Sequence, residues 1–71
     1  MSKLPHISGR EAVRALEKLG FVQLRQKGSH LIMRRGTVGC VIPMHREIKI
    51  GTLTGILRQA SVSAEEFIDA L

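Results

Sequence analysis

"FVQLRQKGSHLIMRRGTVGCVIP", residues 21–43, decides the fold. Its apolar residues alternate instead of recurring at helical spacing. In "FVQLRQK", Val22 and Leu24 fall on one side and Gln23, Arg25 and Lys27 on the other, as in a half-buried strand. Gly28-Ser29 is turn chemistry. "HLIMRR" then puts Leu31 and Met33 on one face and His30, Ile32 and Arg34 on the opposite one. Gly36-Thr37 makes a second turn, and "VGCVIP" a third strand closed by Pro43. Three strands joined by such short turns predict an antiparallel meander.

The flanks are helical. In "SGREAVRALEKLG", Ser8 and Glu11 are spaced as a capping box. Ala12, Val13, Leu16 and Leu19 form an apolar stripe and Gly20 a stop, so the helix is expected over about residues 9–19. Beyond the strands, "MHREIKI" reads as a loop or short extended piece. Leu53, Ile56, Leu57 and Ala60 predict a short helix starting near Gly51-Thr52. Ser63 and Glu66 open a last one through Phe67, Ile68 and Leu71. The order αβββα plus a terminal helix implies an α+β domain, its three-stranded sheet covered by helices on one face. His30, Ile32 and Arg34 would then share the free face.

Seventy-one residues suit a single small domain spanning 1–71, with an aliphatic core, since there is no Trp or Tyr and only two Phe. Eleven Lys/Arg against six Asp/Glu give a net charge of +5, which favours a polyanionic partner, above all nucleic acid. Readers that stack bases on aromatic platforms are disfavoured by the missing aromatics. The one cysteine, Cys40, excludes an internal disulfide. No CxxC or HxxxH spacing offers a zinc site, so no metal is expected. The polar start lacks a signal-peptide core and no run is long enough to span a membrane, so a cytoplasmic protein is expected.

The candidate for chemistry is His30, which follows the Gly-Ser turn at the start of a strand facing open solvent. An imidazole titrates near working pH and suits proton transfer. Gly28 lets the backbone approach a phosphate, Ser29 can donate to a phosphate oxygen, and Lys27, Arg34 and Arg35 flank the histidine. Lys49 and the amides of the second helix around Thr52 form a candidate phosphate site; the alternative is that Thr52 or a neighbour merely caps the helix. Arg10, Arg14 and Lys18 recur every four residues as a basic stripe, either a solvated face or an RNA contact. His45, in "PMHRE", is a second candidate proton-transfer group, with an exposed loop residue as the plainer reading. His6 reads as solvated, and Cys40 and Met33 as fillers of core or edge.

These residues resemble the HicA family of small toxins, also known as YcfA-like proteins. The matching stretches are "LPHISGREAVRALEKLGF" (4–21), "RQKGSHLIM" (25–33), "VIPMHREIKIGTLTGILRQA" (41–60) and the "SAEEFIDAL" tail. The Lys-Gly-Ser-His core and the Gly-Thr-Leu opening of the second helix are the specific features. The chain departs from the family at Ile50, where proline is frequent. The resemblance implies a fold like that of double-stranded-RNA-binding domains and metal-independent cleavage of mRNA without a cofactor. It also implies a HicB antitoxin that binds and blocks the toxin, and a catalytic role for the histidine of the Gly-Ser-His motif, here His30. The rival expectations are a non-catalytic double-stranded-RNA-binding module and an adaptor that binds only protein.

Overall fold

Ser8 closes the N-terminus of the first helix, α1 (Gly9–Lys18), as expected. Its hydroxyl accepts from the Glu11 N–H at 3.1 Å, and the Glu11 carboxylate accepts from the Ser8 N–H at 3.0 Å. Ala12, Val13, Ala15 and Leu16 are buried on one face of α1, while Leu19, half-buried, is its C-cap. Gly20 then takes φ +97, the left-handed turn that ends a helix at least cost in a glycine. The computed structural model describes residues 3–71, and the chain continues through β1 (Val22–Lys27), β2 (His30–Arg35), β3 (Val38–Pro43), α2 (Ile50–Ala60) and α3 (Ala64–Ala70). This is the αβββα order with a C-terminal helix, in an α+β arrangement.

The strands form one antiparallel sheet in the order β1-β2-β3. Gly28 and Gly36 both have φ +60 at the first position of two-residue turns, a conformation that costs other L-residues. Leu31, Met33, Cys40 and Ile42 turn inward under the helices, with α2 against β3 and α1 against β3 and α3. Leu16, Leu53 and Phe67 are fully buried from the helix side. At about 1.5–3 kcal/mol for each fully buried large apolar side chain, this single layer supplies most of the favourable term.

β1 differs from the half-buried strand expected of its alternation. All six of its residues are exposed, Val22 at 57% and Leu24 at 48%. It is an edge strand lying away from the helices that cover β3. The register also shifts between Gln23 and Arg25, so one extra residue interrupts the alternation. Arg25 and Lys27 therefore pair with Ile32 and His30 and share a face with Val22, which pairs with Arg34. Simple alternation had placed them on opposite faces.

The segment from Met44 to Lys49 is better anchored than a loop of its composition suggests. Ile48 is fully buried and its N–H donates to the Ile7 carbonyl at 2.7 Å. Gly9 packs so closely under this segment that a Cβ there would lie 2.8 Å from the Met44 Cα, and closer still to the Pro43 carbonyl oxygen. α2 is longer than expected, begins at Ile50 and has Lys49 as its N-cap; Thr52 lies within its first turn and does not cap it.

Candidate active site

His30 begins β2 on the outer face of the sheet, exposed, with Lys27 across from it on β1 and Pro43 on β3. The preceding turn is held from two sides. The Gln26 amide donates to the Gly28 carbonyl at 3.0 Å, and the Met44 N–H donates to the Ser29 carbonyl at 2.6 Å. That second bond ties the residue before His30 to the residue before His45.

A groove of about 630 Å³ opens between the His30–Pro43 end of the sheet and α2. His30, His45, Lys49 and Thr52 all line it, so four residues picked out separately along the chain meet in one place. His45 is an exposed residue of the loop after β3 whose backbone is fixed. Its carbonyl accepts from the Gly9 N–H at 2.9 Å, and its own N–H donates to the Pro43 carbonyl at 2.9 Å. At the far wall, α2 has no side-chain cap and no acidic residue in its first turn. Its first N–H groups and the positive end of its dipole are thus free for an anion. Glu47 is the one carboxylate on the groove wall, and its Oε2 lies 3.6 Å from Nδ1 of exposed His6.

The groove also includes Glu47, Gly55 and Gln59, none of which was a candidate from the sequence. Lys49, Thr52, Ile56 and Gln59 recur at spacings of three and four. That single stripe along α2 is the signal that could have found Gln59 once Lys49 and Thr52 were chosen.

Other candidates lie elsewhere. Arg34 shares the outer face with His30 but stands four residues along β2, about 13 Å away at roughly 3.3 Å per residue. Arg35 faces the other way and is half-buried. Its Nη1 donates to the Leu19 carbonyl at 2.7 Å, and the guanidinium sits over the Phe21 ring, 4.7 Å from the centroid. The expectation that both arginines flank His30 is thus corrected: strand alternation turns Arg35 toward α1, and strand length carries Arg34 away. The α1 stripe is also apart, with Arg14 and Lys18 lining a separate cleft of about 250 Å³ beside Ala70 and Leu71. Arg10 is exposed. Cys40 is buried, which pushes its thiol pKa up and leaves it a poor nucleophile. Among the described residues no three His, Cys, Asp or Glu side chains converge as metal ligands would, and no helix is long and apolar enough to cross a membrane.

Two imidazoles, Lys49 and an uncapped helix N-terminus thus surround one groove of a small basic α+β domain of αβββα order. The family follows from comparison: the model for the HicA toxin of bacterial toxin–antitoxin matches residues 9–62, from the start of α1 to just beyond α2. The chain belongs to the HicA toxin family, and is the toxin component of a toxin–antitoxin system. No curated protein matches the chain.

Proposed function

We propose that this toxin is a metal-independent endoribonuclease that cleaves mRNA in the cytoplasm, with His30 transferring the proton. The observation that carries the reading is the groove, which gathers His30, Lys49, Thr52 and the uncapped amides of α2 in a chain of the HicA family. A phosphodiester seated there meets the N–H groups of α2 and the Lys49 ammonium on one side and His30 on the other. His30 takes the proton of the 2′-hydroxyl, whose oxygen attacks the adjacent phosphorus. Lys27, directly across from His30, and Ser29 and Gly28 in the turn stabilise charge on the phosphoryl oxygens. Arg34 and the α1 residues Arg10, Arg14 and Lys18 hold flanking RNA backbone away from the cut. Arg35, engaged with Leu19 and Phe21, supports the sheet instead.

The antitoxin partner is a HicB-type protein. Its contact falls on the outer sheet face, where Ile32 and exposed Val41 pair in one row with Arg25 alongside and Arg34 and Lys27 in the rows on either side. An apolar centre with a cationic rim matches a partner surface bearing carboxylates around an apolar strip.

The test is RNA cleavage by purified protein in EDTA, wild type against His30→Ala, with circular dichroism of both. Cleavage by wild type and a loss of 10²-fold or more in the folded variant supports the enzyme. Steeply salt-dependent binding by both proteins without cleavage replaces it with an RNA-binding module. No RNA affinity at all leaves a protein-only adaptor.

A further inference from the structure

We infer that His45 is the second catalytic residue, the general acid that protonates the departing 5′-oxygen; this rests on the ribonuclease reading above. Two observations carry it. His45 and His30 line the same groove, and their positions are locked together through the backbone. The Met44 N–H donates to the Ser29 carbonyl at 2.6 Å, joining the residues that immediately precede the two histidines, and His30 pairs with Pro43, two residues before His45. The Gly9 N–H on the His45 carbonyl, at 2.9 Å, anchors this backbone from the α1 side. The His45 side chain is exposed on this fixed backbone, so it is open to substrate in the groove.

The other groove residues are poor acids for this step. As chemical types, an ammonium is ordinarily too weak an acid near neutral pH and a carboxylate has ordinarily already lost its proton. Thr52 and Gln59 do not titrate. Only an imidazole carries a proton near neutrality and parts with it readily.

The step balances. His30 accepts the 2′-hydroxyl proton, the 2′-oxygen bonds to phosphorus, and the bond from phosphorus to the 5′-oxygen breaks. His45, protonated, gives its proton to that oxygen. The products are a 2′,3′-cyclic phosphate and a 5′-hydroxyl end, and exchange with water restores both histidines.

Leaving-group substitution tests the assignment. The wild-type cut is mapped on an RNA oligonucleotide, which is then made with sulfur in place of the bridging 5′-oxygen at that bond. A thiolate leaves without protonation, so loss of a general acid matters little for it. His45→Ala is expected to be 10²- to 10⁴-fold slow on the oxygen substrate and within about 10-fold of wild type on the sulfur substrate. His30→Ala stays slow on both. A His45→Ala protein with native circular dichroism that cuts the oxygen substrate at the wild-type rate, or is equally slow on both, overturns the assignment. A wild type that cuts neither substrate removes the ribonuclease reading, and this inference with it.

Discussion

Gly9→Ala separates helix propensity from tertiary packing because the two predict opposite signs. By propensity alone, alanine in place of a helical glycine stabilises, by up to about 1 kcal/mol in a helix interior. In the folded protein, the new methyl would stand 2.8 Å from the Met44 Cα and closer to the Pro43 carbonyl oxygen, both of them backbone atoms. Carbon atoms pack comfortably from about 3.5 Å, so the contact with Met44 alone requires the loop and the helix to part by roughly 0.7 Å, and the closer Pro43 oxygen requires more. Overpacking of this kind costs about 1–3 kcal/mol. Parting also stretches the bond from the Gly9 N–H to the His45 carbonyl, worth about 0.5–1.5 kcal/mol. After the propensity gain, the net expectation is a loss of about 2 kcal/mol, or a fall in Tm of roughly 8–16 °C for a domain this small. Thermal unfolding by circular dichroism measures it. Gly55→Ala is the control: a Cβ there meets nothing within 4 Å, so Tm should rise by about 4–8 °C. If Gly9→Ala matches or exceeds the wild-type Tm, the close approach under the His45 segment is not a constraint and the reasoning fails.

Ser61, the C-cap of α2, adopts the left-handed conformation with φ 56, so Ser61→Gly should raise unfolding free energy by about 1 kcal/mol, read from the urea midpoint. The adjacent arginines should behave as opposites. Arg35→Ala should cost about 2 kcal/mol of stability through the lost Leu19 and Phe21 contacts. Arg34→Ala should leave stability within about 0.5 kcal/mol and instead weaken RNA binding, lowering the slope of log affinity against log salt by roughly 0.7. Glu66 has its pKa held below the ordinary 4.5, first by the Ser63 N–H and then by the Ser63 hydroxyl. A depressed folded-state pKa contributes stability that is present above 4.5 and lost as pH falls through the folded value. Urea titrations of Glu66→Gln should therefore show a shallower loss of stability below about pH 4.5 than wild type; parallel curves would contradict this.

Local periodicity and capping chemistry fixed the element order and the inward residues of α1, α2 and β2, though not those of β1. Ser8 with Glu11 and Ser63 with Glu66 cap helices whose apolar periodicity follows at once, and the glycines at 20, 28 and 36 supply the positive φ that the stop and the two turns require. The Gly-Ser-His stretch and its family were legible for the same reason, being contiguous. The tertiary structure alone decided what depends on through-space relations. The irregularity near Leu24 moved Val22 onto the outer face beside Arg25 and Lys27, an outcome that strict alternation cannot express. "MHREIKI" up to Lys49 is the loop expected, and burial of Ile48 with the hydrogen bond from Met44 to Ser29 makes that loop a wall of the groove. The seating of α1 against α3 took Arg14 and Lys18 to a cleft of their own. Periodicity assigns a residue to a face of its own element. Only the packing of elements decides which faces meet, and here it brought His30 and His45 to one groove.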